Sequence, residues 1–272
     1  MGFLFAKRGR FGLALVLASG LAACSSTDPS ELAFEEIPAE KLYAEGLVAM
    51  ESGDAKAAKK SFDELDRQHP YSNYARKSIM LTAYTHYKGG QYTECVTAAK
   101  RFLALYPGDD DAPYAYYLIG QSYFKQIPDV TRDQEASERA MQAMNELIQR
   151  YPDSEYSDDA RQKIRITMDQ LAGKEMQIGR YYLERREYIA AVNRFKVVVT
   201  DFQMTRQVEE GLMRLAESYL AMGITHEAQT AVAVLGHNFP QSKWYKIAYS
   251  MLNKDGLAPE VNRGSWMARL FN

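Results

Sequence analysis

The residues able to do chemistry are few and scattered. The four histidines, His69, His86, His226 and His237, lie far apart in the chain, and none belongs to the HExxH pair that presents two imidazoles from one helix face. There is no GxSxG elbow, no Gly-rich Walker loop and no cysteine pair at zinc spacing. Asp109, Asp110 and Asp111 follow Pro107-Gly108 directly, where acidic residues suit the positive end of a starting helix, and they lack the ligand spacing of an EF-hand. Cys95 falls on an apolar helical stripe, the setting of a buried and inert thiol. That leaves Cys24. It ends Leu21-Ala-Ala-Cys24, behind a basic start with Lys7, Arg8 and Arg10 and an apolar run from Phe11 to Ala23. The sequence therefore predicts no enzyme, no metal site and no cofactor beyond a covalent group on one exposed thiol.

A basic start, a short apolar run and small residues before the cut describe a secretory signal over residues 1–23, too short for a standing transmembrane helix. Leu-Ala-Ala-Cys resembles the bacterial lipobox. That likeness implies that Cys24 is diacylated through sulfur, becomes the mature N-terminus and is acylated again on its amine, and several acyl chains anchor stably where one is marginal. Ser25 after the cysteine resembles the outer-membrane sorting rule of Gram-negative lipoproteins. Residues 24–38 are polar and acidic with Pro29 and Pro38, the composition of a tether.

From residue 39 the chain repeats. Gly53 and Gly90, and likewise Pro70 and Pro107, stand 37 residues apart (90 − 53 and 107 − 70). Each copy reads as helix, Gly turn, helix, Pro stop, and a period in the thirties is the signature of a helical solenoid. The fold class predicted is all-α: a solenoid of about five tetratricopeptide (TPR) repeats over residues 39–252. In the first copy Gly46 permits close approach of the second helix, with Ala58 as the small residue it is expected to meet, and Phe62 and Leu65 continue the stripe. The third copy closes late, at Pro152, 45 residues after Pro107 (152 − 107), so a loop over 127–134 must bulge out, as a binding face or as a neutral surface loop. Residues 157–184 read as one long helix entering the fourth repeat. Residues 243–252 read as a cap for the last open face. The tail, 253–272, ends in Trp266-Met-Ala-Arg-Leu-Phe271, read as a disordered end or as a short docking peptide.

Composition bounds the function. The chain is 272 residues long, 46% hydrophobic and 25% charged, ample for a core. Removing Lys7, Arg8 and Arg10 from 33 basic residues leaves 30 against 35 acidic ones, the wrong balance for nucleic acid. What a solenoid offers instead is a concave surface lined by first helices. Its inward positions in the TPR frame include Tyr43, Leu47, Met50, Met80, Tyr84, Tyr87, Tyr117, Gln121 and Phe124, with Lys88 and Lys125 beside them to meet a peptide carboxylate. Tyrosines have an apolar body and a polar tip, which suits partly hydrated peptides; aromatic residues at helical spacing also serve as plain core.

The lipobox, the five repeats, the insertion in the third and the long helix into the fourth together resemble the BamD family of outer-membrane β-barrel assembly lipoproteins. Tyr151-Pro-Asp-Ser-Glu-Tyr156, Tyr181-Tyr-Leu-Glu-Arg185 and Ala190-Ala-Val-Asn-Arg194 carry the likeness. It implies a non-enzymatic, lipid-anchored scaffold at the periplasmic face of the outer membrane. The N-terminal repeats would receive C-terminal targeting segments of unfolded outer-membrane proteins, and the C-terminal repeats would dock on a POTRA domain of BamA, among other lipoproteins of the complex. Arg194, with Tyr181 and Arg185, is the candidate contact for that partner, a guanidinium being suited to a bidentate carboxylate; a solvated surface arginine is the alternative. Another envelope TPR lipoprotein, a secretin or pilus pilotin or a peptidoglycan-associated factor, is the alternative function. Gln203, where a proline would close repeat four, and the Trp266–Phe271 tail depart from the family pattern.

Overall fold

In the computed structural model, which describes residues 36–271, glycine turns fold the chain into stacked α-hairpins. The first hairpin is α1 (Ala39–Glu51) and α2 (Ala55–Gln68); the second is α3 (Asn73–Lys88) and α4 (Tyr92–Leu105); the third is α5 (Ala112–Lys125) and α6 (Glu135–Arg150). The fourth pairs the long α7 (Ser157–Glu184) with α8 (Tyr188–Asp201), the fifth α9 (Gln207–Ala221) with α10 (Thr225–Asn238), and α11 (Lys243–Lys254) and α12 (Trp266–Phe271) follow. Gly53, Gly90 and Gly223 hold φ of 78°, 73° and 74° at the hairpin turns, a conformation that costs a side-chain-bearing residue about 1–2 kcal/mol. The fourth hairpin turns without glycine: Arg186 takes φ 62° at the same position. Asp54 and Ser72 cap α2 and α3 by accepting from the amides of Ala57 and Ala75.

Apolar residues at helical spacing bury one stripe per helix, so Phe62, Leu65, Phe102, Leu118, Leu147, Phe195, Leu212 and Leu235 are all fully buried between neighbours. Close approach within a hairpin depends on matched sizes. A Cβ added at Gly46 would lie 2.3 Å from the Phe62 ring, one at Gly120 2.7 Å from the Met144 sulfur, and one at Gly179 2.4 Å from the Phe195 ring. The partner of Gly46 is thus Phe62, one turn beyond the expected Ala58.

From α1 to α11 each helix packs on its chain neighbours, and each first helix also packs on the first helix of the next repeat, whereas successive second helices do not pack on one another. A stack drawn tighter on one side curves toward it. The concave face therefore belongs to α1, α3, α5 and α7, as expected, and the convex side carries furrows between α2, α4, α6, α8 and α10.

α7 is continuous through Gly173. Its first half packs on α5 and α6 and its second half pairs with α8 and α9. The insertion of repeat three lies against it: Gln170 Nε2 donates to the Pro128 carbonyl and Lys174 Nζ to that of Thr131, both at 2.9 Å. Its backbone is thus committed to its own chain. The tail is neither disordered nor a free peptide, because α12 packs on α10, with Met267 fully buried. Cys24, the signal segment and most of the tether lie outside the described residues. No described helix is long and apolar enough to cross a membrane.

Candidate functional site

Four successive first-helix segments bring a chain of tyrosines to the concave face. At the N-terminal end Tyr43 on α1 packs between Phe62 and Tyr74, with ring centroids 6.3 Å and 5.2 Å away, and the Tyr74 hydroxyl donates to Glu40 at 2.9 Å. Tyr84 on α3 meets Tyr114 on α5 at 6.5 Å. Tyr156, just ahead of α7, then meets Tyr114 in a tilted pair at 5.2 Å and stacks with Tyr117 at 5.0 Å. Apart from Tyr43–Phe62, which lies within the first hairpin, each contact crosses from one repeat to the next, so those rings are fixed by the curvature of the stack.

A polar clasp closes the far end. The Tyr117 hydroxyl donates to Asp159 Oδ2 at 2.6 Å, Gln121 Nε2 approaches the same oxygen at 3.3 Å, and Lys163 pairs with Asp159 from one turn on along α7. The Lys163 ammonium also lies 5.8 Å from the Tyr117 ring centroid and 5.7 Å from that of Phe124, a cation–π arrangement. Burial, then the Asp159 carboxylate, pushes the Tyr117 hydroxyl well above the usual phenol range. Burial alone would raise Asp159, but hydrogen bonds from Lys163 and Tyr117 outweigh it and hold the carboxyl below its ordinary value. Burial, followed by Glu155, pushes Tyr156 up to about 12. The Tyr117 and Tyr156 hydroxyls therefore keep their protons at neutral pH.

The candidate groove residues divide on this geometry. Tyr84, Thr85 and Lys88 of α3 line a cavity of about 280 Å3 with Met50 and the Gly53 turn, and Lys88 is exposed at its edge. Tyr87 is half-buried and 5.9 Å from Tyr92. Tyr117 and Phe124 are half-buried beneath the Lys163 ammonium. Met80 and Gln121 are buried at 5% and 7% exposure, so neither lines the groove; Met80 is core and Gln121 serves the clasp. Lys125 is exposed. Tyr114, Tyr156, Asp159 and Lys163 were missed by sequence reasoning, although Tyr156, Asp159 and Lys163 recur at the three- and four-residue steps that place side chains on one helix face.

The second set of candidates lies on the fourth hairpin. Arg185 lies over the exposed Tyr181 ring at 5.1 Å and donates from Nη1 to its hydroxyl at 2.9 Å. Arg194 on α8 pairs across the hairpin with Glu175 of α7 at 3.1 Å, while its side chain stays 42% exposed. Its guanidinium is therefore oriented by its own chain and still open to a second carboxylate. Among the described residues no group of His, Cys, Asp and Glu is placed to hold a metal. His86 is buried against Gln91, its Nδ1 2.7 Å from the amide oxygen, and burial pushes the Cys95 thiol up and keeps it inert.

Residues 35–235 match the model of the YfiO family, described as an outer membrane lipoprotein. The outer membrane protein assembly factor BamD of Caulobacter vibrioides is 47% identical over 91% of this chain and 82% of its own length. The chain belongs to the BamD family. BamD of Rickettsia prowazekii is 36% identical over 88% of this chain and 94% of its own, and BamD of Neisseria meningitidis serogroup A 34% over 87% and 94%. Matches of this length span the concave face, the clasp and the fourth hairpin together, so BamD likeness covers both candidate surfaces. A thermophilic TPR protein of Thermus thermophilus aligns over 79% of this chain and 98% of its own at 19% identity and a TM-score of 0.35, too loosely to add to the BamD assignment.

Proposed function

We propose that this chain is a lipid-anchored, non-enzymatic scaffold of the outer-membrane β-barrel assembly machinery, held by acylated Cys24 with its solenoid facing the periplasm. The relatives' role as outer membrane protein assembly factors supports the reading. The observation that carries it is the tyrosine chain on the inner face of the first three repeats. An unfolded barrel protein presents an extended segment of alternating apolar and polar residues. Half-buried rings fixed by their neighbours offer such a segment contact area at low entropic cost, and their protonated hydroxyls meet its backbone carbonyls. Lys88, exposed beside Tyr84, suits the terminal carboxylate of a targeting segment. The acyl anchor raises the local concentration of groove at the membrane where clients insert.

The C-terminal repeats take the structural partner, a POTRA domain of BamA. Arg194, preset by Glu175, and the Arg185–Tyr181 pair provide two oriented guanidiniums on the fourth hairpin, the geometry that recognises carboxylates across an interface. Joint replacement of Tyr84, Tyr87 and Phe124 by Ala tests the groove. Titrated with a peptide from the C-terminus of an outer-membrane protein ending in an aromatic residue, the variant should bind weaker by about 2 kcal/mol or more, the loss typical of anchor residues. Unchanged affinity with native helical content would place the client elsewhere.

A further inference from the structure

The chain contains a worked example of how a furrow on its convex side is filled. Between α8 and α10, over α9, lies the C-terminal segment. Its Trp266 ring sits 4.9 Å from Lys196 Nζ, its indole N–H donates to the Tyr219 hydroxyl at 3.3 Å, and Ser265 Oγ donates to Glu227 at 2.7 Å. Between α4 and α6, over α5, the corresponding furrow is open, with a volume of about 480 Å3. Lys100 and Tyr123 line it, at the repeat positions that Lys196 and Tyr219 hold in the filled one. At the position of Glu227 stands Arg139, its guanidinium 5.8 Å from the Tyr123 ring centroid and paired with the exposed Glu135 one turn back; Glu146, which also lines the furrow, is paired with Arg150. The two furrows share an ammonium and a tyrosine and differ in the sign of the third group.

We infer that the furrow between α4 and α6 docks a short helical segment of a partner protein in which an acidic residue directly precedes an aromatic one. The ring enters between Lys100 and Tyr123 as Trp266 does between Lys196 and Tyr219. The carboxylate takes the place of the Ser265 hydroxyl and pairs with Arg139, whose guanidinium has N–H groups beyond the one that Glu135 accepts from, because a guanidinium has only donors where the Glu227 carboxylate has only acceptors. Charge thus sorts the occupants: the chain's own tail, with its serine, matches the last furrow, and an acidic-aromatic segment matches this one. The site is on the opposite side of the solenoid from the tyrosine groove, so a client and this partner can bind together.

A fluorescent peptide of residues 258–272 tests this in two forms, native and Ser265→Glu, titrated by anisotropy against the full chain in lipid nanodiscs. The Ser265→Glu form should bind saturably and the native form about tenfold or more weakly. Arg139→Glu or Lys100→Glu in the protein should weaken the Ser265→Glu form about tenfold or more, whereas the Tyr84, Tyr87 and Phe124 replacements should leave it unchanged. Absence of saturable binding, equal binding of the two forms, or indifference to both charge reversals in variants that keep native helicity would overturn the assignment.

Discussion

At the scale of single residues, a glycine on one helix and a large side chain on its partner are two halves of one choice. Where the first helix carries Gly46, Gly120 or Gly179, the facing position holds Phe62, Met144 or Phe195. Where it carries Ala83 or Ala216, the same position of the repeat holds Ala99 or Val232, all four fully buried. Glycine on the first helix comes with a large partner and alanine with a smaller one. Repeat two recovers part of the lost volume three residues further on, with Phe102 where the first repeat has Leu65. This compensation was half legible in the sequence: the glycines announced close approach, but spacing alone does not say which residue of a stripe meets them. Gly179→Ala would put a methyl 2.4 Å from a buried ring, and neither backbone nor ring can yield cheaply in a close-packed hairpin. The expected cost is about 1–3 kcal/mol by denaturant unfolding, partly recovered by adding Phe195→Leu.

Elements show where local pattern is sufficient and where it is overridden. The bounds of α7 were legible because residues 157–184 keep a helical alternation without proline, and Gly173, at about 1 kcal/mol against alanine, is a small cost for a helix packed along its length. What spacing did not show is that this helix supplies the polar wall of the groove. Asp159 and Lys163 form an i, i+4 pair whose role appears only where α5 places Tyr117 and Phe124 beside them. The turn that follows α7 holds Arg186 at φ 62° where the first, second and fifth hairpins use glycine. Left-handed backbone costs a residue with a Cβ about 1–2 kcal/mol, and glycine gives back roughly 0.5–1 kcal/mol in unfolded-state entropy. Arg186→Gly should therefore stabilise the protein by about 0.5–1 kcal/mol in urea melts. A loss of stability would mean that the Arg186 side chain makes contacts worth more than its backbone strain.

For the whole molecule, the curvature, the groove and the end cap are one consequence of stacking in a line. Five hairpins were legible from the recurrence of glycine and proline, but the fate of the tail was not, because its partners lie 29 to 47 residues away in sequence and belong to no local period. Folded back, the tail completes the last repeat. Gln229 donates to the Ala258 carbonyl at 2.8 Å, the amide of Asn262 donates to the Thr230 hydroxyl at 3.0 Å, and Trp266 and Met267 join the apolar cluster of α8, α9 and α10. Ending the chain after Pro259 would bare that cluster and leave Thr230 without two partners, the Glu260 carbonyl and the Asn262 amide. In a solenoid each repeat touches only its neighbours, so a loss at one end decays along the stack instead of spreading through a shared core. Hydrogen exchange should therefore quicken most in α10, α9 and α8 and remain as in the full chain in α1 to α4. The peptide groove, built on the first three repeats and the start of α7, should keep its affinity. Uniform loss of protection from end to end would instead show that the repeats unfold as a single unit, with the tail as the clasp of the entire stack.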